Sequence, residues 1–222
     1  MSKKLRIGAI ASGGGTNLQA IIDRCADGSL QAEIVLVISN NPDAGALDRG
    51  KRAGIPTLCI DHRHYSDRED FDQQIVAALK TAGADTIVLA GFMRIVTDTI
   101  LNAFPQRVLN IHPALLPAFP GLHVQRKALE YGARFAGCTV HFVDSGVDTG
   151  PIIAQAVVPV LDDDTEQTLS ARILIEEHRL YPHAIQLLAE DRLKIDGRRV
   201  RIEPTASPLN TTLINPPLSD KE

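Results

Sequence analysis

Apolar residues in the first half of the chain fall into three short runs rich in β-branched side chains, Leu5–Ser12, Ile34–Ser39 and Thr86–Ala90. Between these runs the apolar positions recur every three or four residues, so strand and helix periods alternate, which predicts βαβ units around a parallel sheet. A first helix is expected from an N-cap at Asn17, with Leu18, Ile21, Ile22 and Cys25 on its inner face, ending near Gly28. A second spans Ala44 to Ala53 and is closed by Gly54. A third runs from Asp67 to Ala82, buries Phe71, Ile75, Ala78 and Leu79, and is closed by Gly83. Pro56–Ile60 reads as a short strand, Arg107–Ile111 and Cys138–Val143 as further strands, and Pro151–Val160 as a return strand. The longest helix should start from a cap at Asp164 or Thr165 and reach about Glu190. Beyond it, Leu193–Ile195 and Arg198–Ile202 flank Asp196-Gly197, the two-residue turn of a β-hairpin. From Pro204 to Glu222 the chain turns to Pro, Ser, Thr and Asn without period, and a disordered tail is expected there. The fold class is thus α/β: a doubly wound, mostly parallel sheet with a long C-terminal helix and a hairpin.

Composition narrows the function. With 222 residues, 44% of them hydrophobic and 23% charged, the chain is of ordinary globular type. Twenty-three Lys and Arg against 27 Asp and Glu leave a net charge of −4, which argues against a broad face for nucleic acid. Cys25, Cys59 and Cys138 are odd in number and lack paired spacing, so neither a disulfide framework nor a CxxC metal site is expected. The apolar run after Met1-Ser2-Lys3-Lys4 is interrupted by Arg6 and is too short for a signal peptide or a membrane span. A cytoplasmic protein is expected, with no membrane partner.

Three segments carry candidate chemistry. Ser12-Gly13-Gly14-Gly15-Thr16-Asn17 follows a strand and opens a helix, so its backbone N–H groups make an anion cradle suited to phosphate. It lacks the Gly-Lys-Ser/Thr of a Walker loop. Leu18 stands where a dinucleotide fingerprint has its third glycine, and Ser39-Asn40-Asn41 lacks an acidic ribose reader. The same residues also suit a tight turn that binds nothing. In Val108-Leu109-Asn110-Ile111-His112-Pro113, period-two alternation puts Asn110 and His112 on one face. An amide donor beside an imidazole suits acyl transfer, although a strand-end histidine can equally be structural. Asp144-Ser145-Gly146-Val147-Asp148-Thr149-Gly150 offers carboxylates between glycines, either a binding loop or a plain turn. Asp61, His62 and His64 lack a third ligand at a recognisable spacing, Glu176-Glu177-His178 is not a zincin motif, and no cysteine sits beside a glycine elbow.

Taken in order, Ser12-Gly13-Gly14-Gly15-Thr16-Asn17-Leu18-Gln19-Ala20, Leu89-Ala90-Gly91-Phe92-Met93-Arg94-Ile95, Leu109-Asn110-Ile111-His112-Pro113-Ala114-Leu115-Leu116-Pro117 and Gly146-Val147-Asp148-Thr149-Gly150-Pro151-Ile152-Ile153 resemble the folate-dependent formyltransferases. The nearest resemblance is to the phosphoribosylglycinamide formyltransferase family of purine biosynthesis, from about Ile7 to Leu193. It implies a Rossmann-like formyltransferase domain over residues 1–203, with a phosphate-binding half to about 105 and a folate and catalytic half beyond. It also implies that Gly15, Thr16 and Asn17 hold the phosphate of glycinamide ribonucleotide and Glu177 its ribose. Met93, Arg94, Ile95 and Val96 would hold the folate head, with Arg68, Asn110 and Asp144 as further folate contacts. Asn110, His112 and Asp148 would be catalytic. The formyl donor would be 10-formyltetrahydrofolate, used as a co-substrate without a metal, and the partners small molecules acting on a monomer or homodimer. In the implied reaction the ribonucleotide amine attacks the formyl carbon, and Asn110 and protonated His112 stabilise the oxyanion. Asp148 favours the charged imidazole and helps relay the proton to the departing folate nitrogen. Ala114, Ala118, Gly14, Thr16 and Leu174 depart from the family pattern, Leu174 where a polar residue would face the ribonucleotide. Among rivals, a formyltetrahydrofolate hydrolase carries an extra N-terminal domain, whereas this chain begins its first strand at Leu5. A methionyl-tRNA formyltransferase needs an RNA-binding domain and a basic surface, and a non-catalytic nucleotide-binding domain would not need the trio.

Overall fold

Strands and helices alternate as the periodicity predicts: β1 (Leu5–Ala11), α1 (Thr16–Ala26), β2 (Ala32–Ser39), α2 (Gly45–Arg52), β3 (Thr57–Cys59), α3 (Arg68–Thr81) and β4 (Thr86–Leu89). There follow α4 (Asp98–Ala103), β5 (Val108–His112), α5 (Val124–Tyr131), β6 (Phe135–Phe142), β7 (Ile152–Pro159), α6 (Glu166–Ala189), β8 (Leu193–Asp196) and β9 (Arg199–Ile202). The computed structural model describes residues 4–203 together with Leu213 and Asn215. One sheet of nine strands has the order β3-β2-β1-β4-β5-β6-β7-β9-β8. From β3 to β5 all pairs are parallel, whereas β6 runs antiparallel to β5 and β7, and β8 antiparallel to β9.

Both faces of the parallel part are covered, which is why β1, β2 and β4 read as nearly unbroken apolar runs. Leu18 and Ile21 of α1 pack with Ile173, Tyr181 and Ile185 of α6 in one buried cluster. Phe71, Ile75 and Leu79 of α3 pack with Ile100 of α4 in the other. The doubly wound expectation holds. Tyr181 is fully buried, and its hydroxyl proton is shared between the carbonyls of Leu89 (2.9 Å) and Leu109 (3.0 Å), tying α6 to β4 and β5.

Some boundaries differ from the sequence reading. Gly15, not Asn17, caps α1, with φ of 71°, and Asn17 lies buried inside the first turn. A Cβ on Gly15 would meet Cα of Ala46 at 2.8 Å, so both the left-handed backbone and the close approach to α2 require glycine. Thr165 caps α6, with Thr168 completing a capping box. β6 begins at Phe135 rather than Cys138, because pairing with β7 extends past the apolar run. α4, α5 and a 3₁₀ turn at His62–His64 span eight residues or fewer, too short for a period to stand out. The disordered tail expected from Pro204 lies outside the described residues, Leu213 and Asn215 excepted. The Asn215 amide donates to the carbonyls of Arg134 (2.6 Å) and Val160 (3.1 Å).

Candidate active site

Strand order reverses between β1 and β4, and the segments that leave their C-terminal ends lie side by side at this switch point. Ser12 N–H donates to the Gly91 carbonyl at 3.0 Å, joining the glycine loop after β1 to the strip after β4.

In the glycine loop the Gly13 carbonyl accepts from Ala46 N–H (3.1 Å) and the Gly14 carbonyl from the Arg49 guanidinium (2.7 Å), so both turn towards α2. Across a planar trans peptide the following N–H groups, of Gly14 and Gly15, then point the opposite way. No acidic residue occupies the first turn of α1, which leaves the positive end of the helix uncompensated. Asn17 donates from Nδ2 to Glu177 Oε2 of α6 at 2.6 Å, so the structure brings these two candidate ribonucleotide contacts together across 160 positions of sequence. Burial pushes the Glu177 carboxyl up, and the Asn17 amide opposes this only in part. Among the described residues, the buried atoms Asn17 Oδ1 and His178 Nε2 have no hydrogen-bond partner, an arrangement that a polar ligand would relieve. His178, which the sequence reading did not single out as a contact, becomes a neighbour of Thr16 and Arg49 only through the docking of α6 on α1.

A second, mostly apolar cavity of about 680 Å³ lies at the ends of β4, β5 and β6. Met93, Arg94, Ile95 and Val96 line it together with Asn110, His112 and His141 of the strands and Asp144 and Asp148 of the loop after β6. All three candidate catalytic residues and all four of the strip therefore meet in one space. Arg68 is exposed at the start of α3 and is not among the residues lining this cavity. The cavity draws on both halves of the domain, as does the Asn17–Glu177 pair.

His112 is 5% exposed. Its Nε2 lies 2.9 Å from the Phe119 carbonyl and its Nδ1 3.3 Å from Asp148 Oδ2. Both neighbours are acceptors, so both contacts are satisfied together only by a ring carrying a proton on each nitrogen. Asp148 has φ of 54°, and its Oδ2 also accepts from Gly121 N–H at 2.8 Å. Burial raises the Asp148 carboxyl, but the nearby His141 imidazole, the hydrogen bond from Gly121 N–H and the charge of His112 outweigh it and hold the carboxyl below its usual range. His141 stands opposite Asn110 in the β5–β6 register, with Nε2 3.2 Å from the Asn110 amide nitrogen and 3.7 Å from Asp148 Oδ1. Its Nδ1 faces the Phe142 carbonyl at 2.8 Å. Sequence reasoning missed His141, whose only signal is a buried polar residue within a strand. Burial pushes the thiols of Cys25 and Cys138 up to about 11 and about 12, which keeps both protonated near neutral pH.

An amide and an imidazole facing one apolar cavity, with an anion cradle at the neighbouring strand end, is an acyl-transfer class of site on a doubly wound sheet. The formyl transferase family model matches residues 5–185, and the chain belongs to that family. It is 41% identical over 203 residues to the phosphoribosylglycinamide formyltransferase of Escherichia coli (strain K12), covering 88% of this chain and 96% of that protein. It is 48% identical over 188 residues to the trifunctional purine biosynthetic protein adenosine-3 of Drosophila melanogaster, covering 84% of this chain but only 14% of that much longer protein. The crystal structure of glycinamide ribonucleotide transformylase 1 from Symbiobacterium toebii superposes with a TM-score of 0.90 at 55% identity, covering 91% of this chain and 95% of that one.

Proposed function

We propose that the chain transfers the formyl group of 10-formyltetrahydrofolate to the amino group of glycinamide ribonucleotide, giving formylglycinamide ribonucleotide and tetrahydrofolate in purine biosynthesis. The carrying observation is the convergence of Asn110, His112 and Asp148 on the cavity lined by Met93–Val96. Similarity to proteins that bear this activity in their names supports the reading.

The amine nitrogen attacks the formyl carbon, a C–N bond forms, and the carbonyl electron pair moves onto oxygen. Asn110 and His112 donate to that oxyanion, His112 through the Nε2 proton that otherwise faces the Phe119 carbonyl. Asp148 holds the imidazolium through Nδ1. Collapse of the intermediate breaks the bond to the folate nitrogen, which takes up the proton given up by the amine, by way of Asp148 or water. Gly15, Thr16 and Asn17 hold the ribonucleotide phosphate through backbone N–H groups, and Glu177 its ribose. The folate head is held by Met93, Arg94, Ile95 and Val96, with Asn110 and Asp144 beside it in the cavity, and Arg68, outside the cavity lining, contacts the cofactor elsewhere. Both substrates are small molecules, and the enzyme acts in the cytoplasm. Among the described residues no helix is long and apolar enough to cross a membrane, and no cluster of His, Cys, Asp and Glu is arranged to hold a metal.

The test is release of tetrahydrofolate, followed by ultraviolet absorbance, with and without glycinamide ribonucleotide. Release that requires the ribonucleotide is expected. Equal release without it would identify a hydrolase and overturn the proposal.

A further inference from the structure

The Met93–Val96 strip is neither helix nor strand, and Met93 and Ile95 are 66% and 49% exposed. Burial of its side chains therefore does little to fix its course, apart from Val96. Among the described residues, the N–H groups at the two ends of the 93–97 segment each donate to a side chain from a distant element, while the Thr97 carbonyl accepts from Ile100 and Leu101 N–H where α4 begins. Met93 N–H donates to Ser12 Oγ at 2.9 Å, and Thr97 N–H donates to Asp72 Oδ2 at 2.6 Å.

Neither acceptor is there by default. Asp72 lies on the inner face of α3, only 2% exposed, beside Phe71 and Ile75, where an apolar residue would pack at lower desolvation cost. Thr97 N–H and the Arg94 charge partly compensate this burial, and the Arg94 guanidinium also sits 5.3 Å from the Phe71 ring centroid. The Ser12 hydroxyl donates to Asn40 Oδ1 at 2.7 Å, which leaves its lone pairs for Met93. Asn40 Nδ2 in turn meets His62 Nδ1 at 3.2 Å, which orients the amide whose oxygen accepts from Ser12.

We infer that Ser12 and Asp72 are positioning residues of the formyl-donor site, each accepting a backbone N–H at one end of the 93–97 segment and holding it in the form that lines the cavity. The inference rests on the reading of that cavity as the folate site. Neither residue touches the reacting atoms; each acts through the strip.

The test compares Asp72→Ala, Asp72→Asn and Ser12→Ala with the unaltered protein. It measures KM for each substrate, kcat, Tm, and calorimetric affinity for tetrahydrofolate. Asp72→Ala and Ser12→Ala should raise KM for the formyl donor and Kd for tetrahydrofolate by about tenfold, the size of one lost hydrogen bond to a buried partner. In Asp72→Ala, whose substitution lies on α3 away from the glycine loop, KM for the ribonucleotide should stay within about twofold by the same accounting. Asp72→Asn keeps an amide oxygen for Thr97 N–H and should recover most of the donor affinity. Donor KM unchanged in both alanine variants would overturn the inference. So would equal losses for both substrates that track Tm and are not rescued by Asp72→Asn, the pattern of a merely structural role. If Asp72→Ala does not fold, Ser12→Ala decides alone. An unaltered protein that neither binds tetrahydrofolate nor transfers formyl would instead sink the underlying functional reading.

Discussion

Asp148→Asn separates the charge of the carboxylate from its shape. Asp148 sits in the left-handed region at φ 54°, where Asn is tolerated better than other residues, and an amide oxygen can still accept the Gly121 N–H now held at 2.8 Å. The fold should therefore survive, with Tm lowered by no more than about 3 °C, the effect of roughly 1 kcal/mol in a chain of this size. What is lost is attraction to a protonated His112. At 3.3 Å between Nδ1 and Oδ2 two unit charges attract by about 5 kcal/mol at an effective dielectric constant near 20. Desolvation takes back part of this, and close opposite charges typically leave a net 1.4–4 kcal/mol, or about 10- to 1000-fold in rate. With its oxygen kept on the Gly121 N–H, the replacement amide turns a neutral oxygen towards Nδ1 where the carboxylate had presented a charged one. The assay is steady-state release of tetrahydrofolate with both substrates saturating, alongside thermal unfolding. A fall in kcat of about 10²-fold with near-normal Tm is expected. A kcat within threefold of the unaltered protein, or a loss wholly accounted for by a raised KM, would refute the reasoning that Asp148 acts through the charge on His112.

Asn110→Ala and His112→Ala each remove one donor to the forming oxyanion and should lower kcat by about 10²–10³ while circular dichroism stays native; near-normal turnover in either would remove that residue from the mechanism. Gly15→Ala places a methyl 2.8 Å from Ala46 and adds left-handed strain, so Tm should fall by roughly 5–15 °C, the effect of about 2–4 kcal/mol. Calorimetry that found Tm unchanged would show the loop to be more compliant than its geometry suggests. Hydrogen bonds from Arg172 hold the Asp164 carboxyl well below its usual range, against a smaller opposing push from burial. A folded-state pKa below the unfolded one stabilises above the unfolded value and loses that contribution as pH falls, so Tm should drop below about pH 4. Asp164→Asn should flatten that part of the Tm–pH curve, and an unchanged slope would place the acid sensitivity elsewhere.

Much of this was legible because local signals agreed with the global fold. The β1, β2 and β4 runs, the inner face of α3 and the Asp196-Gly197 turn each carry their own period or turn chemistry. Asn110 and His112 share a face by strand alternation alone. The α1 cap was misread because Asn17 is a good capping residue in isolation, while its amide is used by Glu177, 160 positions away. His141 was overlooked because its significance depends on its register opposite Asn110, which the antiparallel turn of β6 sets.

The sequence by itself determined the fold class, the order of the strands and longer helices, the glycine loop and the polar residues at the end of β5, since each follows from spacing within a few residues. Only the tertiary structure decided which of these meet. It seated α6 on α1 so that Glu177 and His178 reach the loop, placed Asp148 beside His112, and gave the Met93–Val96 strip its anchors in Ser12 and Asp72. Such contacts join positions with no periodic relation to one another. They are set by strand order and helix packing, and by the need of buried polar atoms for partners wherever the fold supplies them.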